Sequence, residues 1–234
     1  DKYLKLYKLK SNLVDYNQDT LESALNFSHE EEDIFFGLNA SIFETLKENY
    51  NDKYEYIAPE ITLDKNIFAS EVFGNLNFQT NLKVHNYDTN KQTNFNVNDL
   101  SWTSKDLLHK SGIKSKFLGN FKNINYESKN VSKYKDDPTS EIYGALGYQS
   151  QIKLEKNIGT SQHFLVPKFF ARYAPGSMRK ESSGSRLNAT KAFSMDRLDN
   201  INNFESGLTS ALGIDYQIKN NDQNFDFSIA QIIN

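Results

Sequence analysis

The sequence predicts an all-β protein: part of an antiparallel transmembrane β-barrel, laid out as a meander of roughly a dozen long strands. Three observations carry that expectation. The first is strict two-residue alternation, which separates the two faces of a strand. It is clearest in Gly74–Asn86, where Leu76, Phe78, Thr80, Leu82 and Val84 share one face. Asn75, Asn77, Gln79, Asn81, Lys83 and His85 share the other. The second is length: the run far exceeds the ~5–6 residues of a common soluble strand and suffices for the ~9–11 of a tilted membrane-spanning one. The third is the near absence of helical periodicity anywhere in the chain.

Taken in order, Tyr3–Leu9 alternates roughly and Asp15–Gln18 reads as a turn. Leu21–Phe27 is a weaker strand closed by the acidic run His29–Asp33, a composition that normally marks a solvated turn. Phe36, Leu38, Ala40 and Ile42 then share a face, and the polar break Glu48–Asp52 leads into a strand over Tyr54–Leu63. Gly74–Asn86 comes next, with a turn at Asn86–Asn90 and a return strand through Asn94–Asn98. Ile113, Ser115, Phe117, Gly119 and Phe121 alternate against Lys114, Lys116 and Asn120. A polar loop over Lys129–Ser140 precedes Ile142–Lys153, and Phe164–Tyr173 ends at Pro175-Gly176. Leu187–Met195, Phe204–Ile218 and Phe225–Ile232 complete the predicted strands. Pro59 and Pro167 fall inside strand-like runs, where each removes a ladder donor; a bulge, a strand end or a shifted boundary would accommodate them.

A chain of this composition excludes several classes. No run approaches the ~18 apolar residues of a membrane helix, and the mean hydropathy is −0.67. A barrel strand, however, hides its apolar residues at every second position. Net charge is −3, with no clustered Lys and Arg, so no nucleic-acid partner is expected. Cysteine is absent, which removes disulfides and thiolate chemistry from this stretch. The chain starts at Asp1 without a leader, and the expectation is a fragment of a longer protein, residues 1–234 being part of one large barrel domain.

Many strands without helices leave a sandwich, a propeller or a barrel. No fixed repeat supports a propeller, and strand plus turn occupies about twenty residues, against turn signals every 8–12 in soluble sandwiches. Phe35, Phe43, Tyr54, Tyr56, Phe73 and Tyr87 lie near strand ends, as interfacial girdles do. Ordinary strand propensity of aromatic residues is the competing explanation.

Reaction chemistry is hard to find. His29, His85, His109 and His163 are dispersed, none at metal-ligand spacing. Ser161 and His163 are the nearest approach to a hydrolytic pair, without an oxyanion motif beside Gly159-Thr160-Ser161. No cofactor, metal or catalytic residue is expected, and the chain reads as a wall or conduit and not an enzyme.

The last third carries a resemblance. Arg186–Asp199, containing Phe193-Ser194-Met195-Asp196-Arg197-Leu198, resembles a segment of the LptD family of outer-membrane lipopolysaccharide-assembly proteins. Glu205–Tyr216 and the strand Phe225–Ile233 are similar to the family's next two segments, in the same order. Phe43–Leu46, Asp52–Pro59 and Pro167–Met178 resemble the alphaproteobacterial version. The resemblance implies the C-terminal barrel without its N-terminal periplasmic jelly-roll domain and without the closing strands. It implies transport without catalysis: lipopolysaccharide arrives over an LptA-like periplasmic bridge, its acyl chains leave through a lateral seam, and its sugars cross a polar lumen plugged by an LptE-like lipoprotein. Asn75, Asn77, Gln79, Asn81 and Lys83 are then lumen-facing candidates, and Leu76, Phe78, Leu82 and Val84 lipid-facing ones. Leu82→Arg should impair assembly and Asn81→Arg should be tolerated. The rival readings are another outer-membrane barrel, a porin or plugged nutrient transporter, and a soluble β-rich binding or adhesin domain.

Overall fold

In the computed structural model, which describes residues 20–46, 52–180, 187–198, 200–220 and 223–233, the chain is a single antiparallel sheet of twelve strands. The strands are β1 (Thr20–Glu31), β2 (Ile34–Thr45), β3 (Tyr54–Ser70), β4 (Gly74–Asn86), β5 (Gln92–Thr103) and β6 (Leu107–Leu108). They continue as β7 (Ile113–Lys129), β8 (Thr139–Ile152), β9 (Leu154–Ile158), β10 (Ser161–Ala174), β11 (Gly207–Lys219) and β12 (Asn224–Ile233). The long strands pair in chain order from β1 to β12, with short β6 on β7 and β9 on β10. The sheet is not closed: β1 and β12 are its two edges. One 3-10 turn, Lys191–Phe193, is the only helical element among the described residues.

The alternation read from the sequence sets these strands. β4 has the bounds Gly74–Asn86 that the pattern gave it. Most of the other strands run longer than expected, but the strand expected over Phe204–Ile218 starts only at Gly207, as β11, because Phe204 and Glu205 belong to the connection before it. β1 continues through His29-Glu30-Glu31, so the acidic run is strand up to the turn at Glu32-Asp33. At Asp88 the predicted turn closes, its Oδ1 accepting the backbone N–H of Asn90 at 2.8 Å and of Lys91 at 2.7 Å. Leu187–Met195, expected as a strand, is not one: it belongs to the connection between β10 and β11. The strand expected over Tyr3–Leu9 lies outside the described residues.

Both prolines find a place in the ladder. Between β2 and β3 the register shifts from Asn39↔Glu60 to Ser41↔Ile57, a bulge that contains the cis Ala58-Pro59 bond. The extra residue resets parity, so Tyr54 and Tyr56 before it and Ile61 and Leu63 after it stay on one face: Tyr56 opposes Ile42, Ile61 opposes Leu38 and Leu63 opposes Phe36. Pro167 falls between two paired stretches, β10 with β9 up to Leu165 and β10 with β8 from Lys168. Its missing N–H coincides with the break between β8 and β9 at Lys153.

The chain groups into two compact units that cut across the strands. One comprises the residues up to Lys65, Gln79–Val97 and Asn125–Ser140. Its buried residues are Ser41, Asn81, Thr93, Phe95, Val97, Tyr126 and Ser128. Phe95 stacks on Tyr126 at 5.4 Å, and Tyr134, from the β7–β8 loop, meets Phe95 edge-on at 4.9 Å. Ser128 Oγ pins that loop by donating to Lys135 O at 3.0 Å. The other unit comprises Asn66–Phe78, Asn98–Ile124 and Glu141–Asn234. Its buried residues are centred on Phe170, Ala192 and Ala211, with Phe193, Met195 and Ile232 packed against them.

Cross-strand register shows how the faces divide. In the second unit Tyr173 opposes Leu146 on β8 and Leu208 on β11, Phe169 opposes Leu212, and Ile214 opposes Ile229. These side chains are exposed: Leu146 by 71%, Leu208 by 70%, Ile229 by 56%. Their alternates, Phe170, Arg172, Thr209 and Ala211, are buried. In the first unit Leu25 and Phe27 oppose Ala40 and Leu38 and are 70% and 57% exposed. Among the described residues 33 large hydrophobic side chains are exposed and 12 hydrophobic residues are buried. That proportion inverts the usual distribution, in which a monomer exposes few contiguous apolar patches.

Candidate functional site

The polar face of β4 is built as a row of side-chain pairs to β3. Asn75 Oδ1 accepts from Asn66 Nδ2 at 2.6 Å, Asn81 Nδ2 donates to Thr62 Oγ1 at 3.0 Å, and Lys83 Nζ lies 3.3 Å from Glu60. His85 Nε2 is 2.5 Å from Glu55 Oε1, and Glu60 also accepts from Asn39 at 3.3 Å. Of the polar candidates, Asn81 is 8% exposed, Gln79 is exposed, and Asn75, Asn77 and Lys83 are half-buried. On the opposite face Leu82 is 36% exposed, and Leu76, Phe78 and Val84 are half-buried. Because Asn81 is buried and its Oδ1 has no hydrogen-bond partner, Asn81→Arg would have to displace packed neighbours; Gln79 is the roomier position on that face.

The denser constellation lies in the second unit, where the β10–β11 connection folds onto the polar face of β7, β8, β10 and β11. Short-range Asx turns shape it. Asn188 Oδ1 accepts Lys191 N–H at 2.8 Å, Asp196 Oδ1 accepts Leu198 N–H at 3.2 Å, and Asn200 Oδ1 accepts Asn202 N–H at 3.0 Å. Two strand glycines admit it. A Cβ on Gly147 would lie 2.5 Å from Met195 Sδ, and one on Gly213 would lie 2.7 Å from both Phe193 Cζ and Ile229 O. Phe204 is 1% exposed, with Tyr143 at 6.0 Å, Lys122 Nζ at 5.3 Å and the Arg172 guanidinium at 5.7 Å from its ring.

Around Phe204 four cations meet four carboxylates. Lys122 Nζ lies 3.2 Å from Asp99 Oδ2 and 3.4 Å from Asp196 Oδ2. Arg172, whose side chain has no exposure, pairs with Glu205 at 3.5 Å and donates to the Glu205 carbonyl. Arg197 grips the same carboxylate through Nε, at 2.8 and 3.0 Å, and through a second guanidinium nitrogen. Arg179 pairs with Glu141, which also accepts from Tyr143 OH at 2.9 Å. Charge balance is what permits so many ionic groups away from water.

The two loop carboxylates respond differently. Burial pushes Asp196 upward, and Lys122 with the N–H groups of Leu198 and Glu205 only partly opposes it. Burial also acts on Glu205, but the hydrogen bonds and charge of Arg197, with the charge of Arg172, outweigh it and hold this carboxyl below its ordinary value.

The histidines are not brought together. His85 pairs with Glu55, His109 Nε2 lies 2.8 Å from Ser115 Oγ, His163 Nδ1 lies 2.7 Å from Tyr216 OH, and His29 is exposed. The partner of His163 is thus Tyr216 on β11 and not Ser161. Among the described residues no group of three or more His, Asp or Glu could hold a metal ion.

Sequence reasoning missed the ionic constellation because its members are scattered from Asp99 to Glu205. Asp196, Arg197 and Glu205 supply the connection's half of it. A local signal existed: Asn188, Asp196 and Asn200 are short polar side chains that each accept a backbone N–H two or three residues on, chemistry that competes with strand pairing. Compared with known proteins, the chain matches no protein-family model and no curated protein.

Proposed function

We propose that the chain is wall of an outer-membrane barrel that places lipopolysaccharide in the outer leaflet of a Gram-negative envelope, with no catalysis of its own. The observation that carries this reading is the division of faces: exposed side chains are apolar across paired strands, while amides and ions are buried on the other side. An apolar exterior around a polar interior is the reverse of a water-soluble domain and is what a lipid solvent requires. In a bilayer the edges β1 and β12 need partners, since unpaired backbone groups are not tolerated there. Further strands of a larger barrel would supply them. The resemblance narrows barrel to translocon and supplies the partners: lipopolysaccharide, an LptE-like lipoprotein, an LptA-like bridge protein docked through a jelly-roll domain, and outer-membrane lipids.

Depletion tests it. Loss of lipopolysaccharide from the cell surface is the expected result, and normal surface lipopolysaccharide in depleted cells would overturn the reading. A second reading, a porin or plugged nutrient transporter, is favoured by one feature: the β10–β11 connection covers the polar face as an internal plug would. It predicts solute conductance in planar bilayers together with unchanged surface lipopolysaccharide.

A further inference from the structure

The alternation of β5 and β7 changes sign partway along each strand. On β7 the face carrying Phe117 and Phe121, 47% and 48% exposed, continues as Asn123, Asn125, Glu127 and Lys129. Its opposite face changes from Asn120 and Lys122 to Ile124 and Tyr126, both buried. On β5 the face with Leu100 and Trp102 carries Asn94, Asn96 and Asn98 in its other half, against buried Phe95 and Val97. The two strands are antiparallel neighbours, so the N-terminal half of β5 and the C-terminal half of β7 lie at one end of the sheet.

Connection lengths distinguish that end independently. There the strands are joined across 46–53, 87–91, 130–138 and 175–206. At the other end they are joined across 32–33, 71–73, 159–160 and 220–223, with one longer connection, 104–112, that carries β6. Outer-membrane barrels carry short turns on the periplasmic side and long loops outside. Along this half lies a depression of about 510 Å³ whose lining is largely apolar, from Leu82, Val84, Phe95 and Tyr126, with Asn94 and Asn125 among its polar members.

We propose that this amide-bearing outer wall stands beyond the hydrocarbon on the cell-surface side and contacts the saccharide headgroups of outer-leaflet glycolipid. The proposal rests on the membrane reading above and adds to it an orientation and a contact surface. Hydrocarbon is the wrong neighbour for this half: Lys129 at the bilayer midplane would cost about 2–4 kcal/mol, falling to ~0–1 near an interface. Amides both donate and accept, as sugar hydroxyls do, and Leu82 and Val84 offer an apolar surface to the C–H face of a sugar ring.

Residues 1–234 contain no cysteine, so each single replacement, read in the full-length protein against the unsubstituted parent, adds one reporter thiol within this stretch. In intact cells a membrane-impermeant maleimide should modify Asn96→Cys and Asn125→Cys. Phe121→Cys should stay unlabelled, and Thr160→Cys should label only after permeabilisation. A photoreactive benzoylphenylalanine at Asn125 should give an adduct that stains for glycan. Labelling of Thr160→Cys and not Asn125→Cys in intact cells would overturn the orientation while leaving the membrane reading standing. Equal labelling of Phe121→Cys and Asn125→Cys would overturn the membrane reading itself. An adduct without glycan would overturn the headgroup contact.

Discussion

Glu205 lies between two guanidinium groups, Arg172 with no exposure and Arg197 with 7%, and is the side chain on which the ionic constellation depends most. Glu205→Gln removes the shared counter-charge and leaves two buried cations, a change that should cost about 3–5 kcal/mol and lower the thermal midpoint in detergent. Its pH dependence has a definite sign. A depressed carboxyl contributes stability fully above its ordinary value of 4.5, and loses it as pH falls through the lower folded value. Acid titration should therefore destabilise the parent protein below that point, and the Gln variant should lack this component. Asp196 has the opposite sign. Its raised folded value means that its contribution improves as pH falls from neutral toward its ordinary 3.8. Asp196→Asn, which keeps an acceptor for Leu198 and Glu205, should flatten that rise and be far milder than Glu205→Gln when unfolding is followed at pH 5 and pH 8.

At the scale of elements, legibility tracked the local pattern. β4 was readable to the residue because Gly74–Asn86 alternates without interruption between two turns. The N-terminal half of β3 needed the bulge at Ala58-Pro59, whose parity change no simple period reveals in advance. The Leu187–Met195 segment misled because Leu187, Ala189, Phe193 and Met195 share the parity of one strand face, while Asx turns and glycine-cleared docking make it a folded-in connection. That docking is testable. At Gly213 an added methyl meets the Ile229 carbonyl of the next strand as well as Phe193, so Gly213→Ala should cost about 1–3 kcal/mol by overpacking. Gly147→Ala meets first the movable end of Met195 and should cost less in the same melting assay. The faces are testable too. Leu146, 71% exposed beside Gly119, stands among exposed apolar side chains, whereas Leu82 borders Asn94 and Asn125. Leu146→Arg should cost about 2–4 kcal/mol and reduce membrane assembly, and Gln79→Arg, exposed on the polar face, should assemble normally by heat-modifiability on gels.

For the whole molecule, the fold class was legible because two-residue alternation recurs in strand after strand while helical periodicity is nearly absent. The distribution of charge across distant strands was not legible, since only the registers β8–β10–β11 and the folded-in connection bring Glu141, Arg172 and Glu205 into one place. The central claim is that the exposed apolar faces meet hydrocarbon. Spin labels at Leu146→Cys and Leu212→Cys, compared with Gln79→Cys, measure it directly through collision with oxygen and with a water-soluble nickel complex. In bilayers the first two should collide readily with oxygen and hardly with nickel, and the third should do the reverse. Nickel access at positions 146 and 212 equal to that at 79 would contradict the account.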